Sequence, residues 1–229
     1  MLKINPKVYN ELETYKQSWQ QDKIVVIQDL LCEEDAEKLY DYLNHVPEES
    51  WRYSLHPYIH NWYIFDNTPE NQDHIKNGLE SSKQAYQRGE FSYNFRRFED
   101  YEKDDVTIKT LLKSSQFCNL IKQITNLTVT ATVSVFASRY DAGSFLSCHS
   151  DGDRGQIAFV LNLTKNWKKE YGGNFELIND NWIGVKREII PEFNTFYFFD
   201  VNNNGKPHRV TKVEEDITNN RIAFSGWMV

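Results

Sequence analysis

The chain has 229 residues, with 6 Trp, 13 Tyr and 14 Phe against 10 Gly and 6 Pro, which excludes a collagen-like, low-complexity or disordered chain. A chain of this order buries roughly 70% of its unfolded surface without a staple, and its three unclustered cysteines, Cys32, Cys118 and Cys148, suggest neither a disulfide framework nor a zinc site. The net charge of −7 disfavours nucleic acid as the main partner, and the lack of a signal-like start or a long apolar run predicts no membrane span and a reducing, cytoplasmic setting.

Residues 8–20 read as a short polar helix, and the β-branched run Lys23 to Gln28 as a strand. Acidic residues 33–35 then precede Leu39, Tyr42, Leu43 and Val46 at helical spacing, with Pro47 as the stop. Residues 60–66 read as a strand, and Thr68-Pro69-Glu70 opens a helix running to about Gly89. The alternating stretch 91–98 predicts a strand, and the apolar pattern over 105–124 a helix.

After Leu127 the texture changes. Eight short β-rich runs follow, at 127–139, 144–149, 156–163, 173–178, 184–190, 194–200, 207–213 and 221–228, with turn residues between them. Strands at this spacing predict a sandwich or double-sheet jelly roll, covered on one sheet by the earlier helices. The predicted organisation is one α+β domain over 1–229. Residues 1–126 give helical support and extra strands, and 127–229 form the core.

Of six histidines, only His149 is followed two positions later by a carboxylate, Asp151. On a strand both side chains share a face. A third ligand must come from elsewhere, and His208 is the only histidine after Asp151. Two His and one carboxylate form the facial set of non-haem iron(II) oxygenases, and leave room for a bidentate 2-oxo acid and O₂. Such a site needs a grip on the far end of its co-substrate. Arg221, at the start of the last strand, offers a guanidinium that holds a carboxylate through two parallel bonds. Ser225 shares its face, and Tyr140 offers a phenol from an adjoining strand.

The order Tyr140, His149-Ser-Asp151, His208, Arg221, with RGQIAFVLNLTKNW and YGGNFEL between, resembles the Fe(II)- and 2-oxoglutarate-dependent dioxygenases of the prolyl 4-hydroxylase type. Together with RYDAGSFLSCHSD and RIAFSGW, these segments are similar to the catalytic domain of ribosomal prolyl hydroxylases and their small bacterial relatives, densely over 131–229 and loosely over 23–46 and 91–98. The resemblance implies a double-stranded β-helix with Fe(II) held by His149, Asp151 and His208. It implies 2-oxoglutarate held at its distal carboxylate by Arg221 with Tyr140, Ser225 and Asn162 around it, O₂ as oxidant and ascorbate as reductant. The implied reaction is hydroxylation of a C–H bond, with a prolyl residue of a protein or peptide as first substrate class. A free amino acid or other small metabolite is the alternative, because the sequence ends after the Arg221 strand where the eukaryotic ribosomal enzymes carry a second barrel. Asp151 argues against halogenation, which would vacate that ligand position. A non-catalytic cupin-like binding module is the third reading, and the intact ligand set with Arg221 discriminates against it.

Several residues have plainer readings. Cys148, beside His149, faces the opposite way and reads as a small buried residue. Arg96 and Arg97 read as a solvated strand edge or as contacts to an acidic or amide group of substrate. His56 and His60, among aromatics in 51–65, read as packing or surface residues, or as part of a substrate lid near the iron.

Overall fold

The computed structural model describes the chain except residues 1, 59–60, 100–107, 131, 153 and 203–204. Five α-helices are described: α1 (Leu12–Asp22), α2 (Glu33–Asn44), α3 (Gln72–Gln87), α4 (Ile108–Leu112) and α5 (Ser115–Thr125). Among the described residues no helix is long and apolar enough to cross a membrane.

The helix boundaries follow local chemistry. Helix α1 ends on Lys23, whose left-handed conformation (φ 57°) returns its N–H to the Trp19 carbonyl. Helix α2 begins with Glu33, Glu34 and Asp35, which favour the positive end of the helix dipole. It stops at Asn44, before Pro47. The single helix expected over 105–124 is two, because Ser114 leaves the helical conformation and its hydroxyl caps α5 by accepting from the Phe117 N–H at 3.2 Å.

Twelve strands form one curled sheet. In the first half they are β1 (Ile24–Ile27), β2 (Arg52–Tyr58), β3 (Asn61–Phe65) and β4 (Tyr93–Phe98). The second half contributes β5 (Thr132–Tyr140), β6 (Phe145–His149), β7 (Ile157–Asn162), β8 (Phe175–Ile178), β9 (Val185–Ile189), β10 (Thr195–Asp200), β11 (His208–Val210) and β12 (Arg221–Met228), one for each predicted run. The order β1-β10-β7-β12-β5-β4-β6-β11-β8-β9 makes two layers hinged at β4. Arg96 to Phe98 of β4 pair with β5, whereas Tyr93 and Asn94 pair with β6. Strand β2 is an addition to the predicted elements. It pairs with both β3 and β4, so much of segment 50–68 belongs to the sheet rather than to a free loop.

Period-two alternation divides the larger layer. Phe159, Leu161, Phe196, Phe198, Ile222 and Phe224 point outward and join the apolar core formed with the helices. There Trp19 of α1 packs on Phe198 (5.7 Å between ring centres) and Phe117 of α5 on Phe196 (5.6 Å). The alternate residues Ala158, Val160, Tyr197, Phe199 and Trp227 face inward, toward Phe175 and Leu177 of the smaller layer. Helices therefore seal one face, and the other encloses the interior. This is the double-stranded β-helix arrangement.

Candidate metal centre

His149 closes β6 and His208 opens β11, directly opposite one another in register, with ring centres 4.3 Å apart. Asp151 lies two residues beyond β6, not on it, so strand alternation does not place its carboxylate; the turn after His149 does. That carboxylate lies between the rings, with Oδ1 3.5 Å from His149 Nε2 and Oδ2 3.7 Å from His208 Nε2. Each histidine uses Nδ1 locally: His149 on the Ser147 carbonyl at 3.0 Å, His208 on the Lys206 carbonyl at 2.7 Å. A carbonyl only accepts, so Nδ1 carries the hydrogen and Nε2 presents its lone pair.

The environment keeps these groups ready as ligands. Burial and the neighbouring His149 push the His208 imidazole down to about 4, against the pull of Asp151 and the Lys206 carbonyl, so it is neutral at pH 7. Burial acts to raise the Asp151 carboxyl. The facing imidazoles of His149 and His208 and the Trp227 indole outweigh it and hold the group at about 2, ionised. Phe175 and Phe199 flank His208, at 5.5 and 4.7 Å between ring centres, and fix its orientation.

The donor set fits ferrous iron. The three ligand atoms lie within 4.8 Å of one another, against the roughly 3 Å expected for neighbouring ligands each about 2.1 Å from one ion. All three come from the borderline and hard donors that Fe(II) accepts.

A second polar group lies deeper between the layers. Arg221 pairs with Tyr140 across β12 and β5. Its guanidinium carbon sits 4.8 Å from the centre of the Tyr140 ring. Arg221 is 2% exposed, yet among the described residues its Nε and Nη1 have no hydrogen-bond partner. Gly173 covers its stem: a Cβ at that position would lie 3.4 Å from Arg221 Cδ and closer still to Trp167 and Val213. Asn162, opposite Ala223 of β12, is fully buried, and both ends of its amide lack partners. Ser225 lies one cross-strand row further on, opposite Val160 and Phe136, and is half-buried. The seven residues singled out from the sequence thus fall into two groups: His149, Asp151 and His208, and the set formed by Arg221, Tyr140, Asn162 and Ser225.

Sequence reasoning missed Trp227, whose indole faces Asp151, and Tyr197 of β10. Each sits in an apolar run that reads as core, and only its place on the inner face distinguishes it. Other readings shift. Arg96 is bound up with Glu48 and, at 2.8 Å, with Asp141, while Arg97 pairs with Glu99. Neither is free to greet a substrate. Cys148 is half-buried. His56 is buried on β2, in ring contact with Phe91 and Tyr93, and Phe91 in turn touches His149 at 5.5 Å. His60 lies outside the described residues.

Residues 135–229 match the family described as the 2OG-Fe(II) oxygenase superfamily, a span that holds the triad and Arg221. Over that span the chain is similar to the 2OG-Fe(II) oxygenases. Prolyl 3-hydroxylase OGFOD1 of Xenopus laevis is 29% identical over 183 residues, which is 76% of this chain and 34% of that protein. The Mus musculus protein of the same name is 24% identical over 184 residues, 76% and 33% of the two chains. The chain therefore spans about a third of the length of the curated relatives it matches. In fold it resembles a Pseudomonas putida prolyl-4-hydroxylase (TM-score 0.63, 14% identity, 95% and 97% of the two chains). It also resembles a Trichoplax adhaerens prolyl hydroxylase solved with a hypoxia inducible factor peptide fragment (0.64, 17%, 97% and 90%).

Proposed function

We propose that this chain is an Fe(II)- and 2-oxoglutarate-dependent hydroxylase whose substrate is a prolyl residue in a protein or peptide. The observation that carries the reading is the pairing, within one fold, of a His-Asp-His set with a buried guanidinium that has no anion beside it among the described residues. His149, Asp151 and His208 would hold the iron, which when bound supplies O₂ activation. One oxygen atom goes to the substrate C–H and the other to the co-substrate, giving hydroxylated product, succinate and CO₂. Arg221 and Tyr140 would fix the distal carboxylate of 2-oxoglutarate, with the Asn162 amide and the Ser225 hydroxyl alongside. The aromatic walls keep water out, which strengthens each of these electrostatic contacts. Ascorbate would serve to keep the iron ferrous.

The prolyl assignment draws on the relatives, which are named prolyl hydroxylases. A free amino acid is the second reading. The test is incubation with Fe(II), 2-oxoglutarate and ascorbate against peptide and amino-acid libraries, following succinate and +16 Da products by mass spectrometry. A prolyl peptide product confirms the first reading and an amino-acid product the second. Iron bound without succinate from any library sinks both.

A further inference from the structure

The run Thr195–Asp200 reads TFYFFD, and its one tyrosine has no evident packing reason to be other than phenylalanine. Tyr197 is fully buried, packed on Phe175 at 4.7 Å, and its neighbours Phe196, Phe198 and Phe199 are all phenylalanines. Among the described residues its hydroxyl makes no hydrogen bond of ordinary geometry, although it lies beside the Arg221 guanidinium. A buried hydroxyl without a partner is destabilising, and a phenylalanine would fill the same space without that penalty. The hydroxyl therefore serves something other than the empty fold.

Three such orphans occur on adjacent strands: the Tyr197 hydroxyl on β10, the Asn162 amide on β7, and Nε and Nη1 of Arg221 on β12. Tyr197 and Asn162 share the inner face, since Tyr197 opposes Val160 and Thr195 opposes Asn162. The Tyr197 phenol lies near enough to feel the guanidinium. Burial dominates and raises its pKa well above the ordinary value, and Arg221 offsets only part of this, so at neutral pH the group remains an O–H donor. The set is rich in donors and contains a fixed positive charge. Water would satisfy the donors but leave the charge uncompensated, whereas a carboxylate satisfies both.

We propose that Tyr197 donates its phenolic hydrogen to the distal carboxylate held by Arg221, as a further donor beside Tyr140. The inference rests on the hydroxylase reading above. The experiment compares wild type and Tyr197→Phe in calorimetric titrations, each loaded with Mn(II). The two ligands are 2-oxoglutarate and 2-oxopentanoate, which has the same chain length but no distal carboxylate. The variant is expected to bind 2-oxoglutarate about ten- to a hundredfold more weakly, to bind 2-oxopentanoate as wild type does, and to melt no lower than wild type without ligand. Unchanged 2-oxoglutarate affinity, or an equal loss for both ligands, overturns the role of Tyr197. No binding of 2-oxoglutarate by wild type overturns the hydroxylase reading itself.

Discussion

Arg221→Met should reverse the order of stabilities between the empty and the loaded protein. Arg221 is buried with two guanidinium nitrogens unpartnered, so in the empty protein it is a net liability. Removing a poorly compensated buried charge while keeping a long apolar stem returns about 1–4 kcal/mol. The lost contact with the Tyr140 ring gives back about 0.5–2 kcal/mol of that. The net change is then about −1 to +3.5 kcal/mol. For a chain of this size each kcal/mol moves the melting temperature by about 2–4 °C, so the empty variant should melt between about 4 °C below and about 14 °C above wild type. With Mn(II) and 2-oxoglutarate the sign changes. Losing one partner of a buried charged pair costs about 3–5 kcal/mol of binding, or about two to three and a half orders of magnitude in Kd. Wild type then gains stability by ligand binding and the variant does not. Differential scanning calorimetry with and without the two ligands reads both effects. If the empty variant melts more than about 4 °C below wild type, or if 2-oxoglutarate still stabilises it as it does wild type, Arg221 is a structural residue and the reasoning is wrong.

His208→Ala and Asp151→Ala should each reduce bound iron from roughly one equivalent to near none by elemental mass spectrometry, since two ligands remain where a facial set needs three. Retained stoichiometric iron in either variant removes that residue from the ligand set. Gly172→Ala should lower stability by more than about 3 kcal/mol in denaturant titrations, because a Cβ there would lie 2.0 Å from the Lys212 carbonyl oxygen at φ +69°. Gly89→Ala is its control: the φ of +73° is similar but the space is open, so a loss of only about 1 kcal/mol is expected. Equal losses would show that backbone conformation, not the approach of the Lys212 carbonyl, sets the requirement at Gly172.

The second half of the chain was readable because its strands are short, β-rich and separated by Gly, Asn and Asp. All eight runs are strands within a few residues. Strand β2 was not readable, because RYSLHPY carries a proline and no clean alternation, and its pairing depends on β4 about 40 positions away. The break between α4 and α5 was hidden by an apolar pattern that continues across it, with one serine as the only local signal. Among site residues, the triad and Arg221 stood out through residue type and order. Tyr197 did not, since an unbroken aromatic run says only that a strand is buried on both faces. It shares the inner face with Asn162 and Arg221 only once β10, β7 and β12 pair in register.

That register also separates stability from function on a single set of strands. Along β10, Phe196 and Phe198 face the helices, while Tyr197 and Phe199 face the interior. The outer residues are apolar and fully packed, whereas the inner ones include the unpartnered hydroxyl, amide and guanidinium. The net stability of the empty protein must therefore come chiefly from the helix-facing side. Phe198→Ala removes a fully buried ring that packs on Trp19, and should cost about 3–5 kcal/mol whether or not metal and 2-oxoglutarate are present. Tyr197→Phe, one residue away, should cost nothing in the empty protein and lose stability relative to wild type only when both ligands are added. Denaturant titrations of the two variants in both conditions check this. If the Phe198→Ala loss depended on the ligands as strongly as the Tyr197→Phe loss, the two faces would be coupled and the division made by strand alternation would fail.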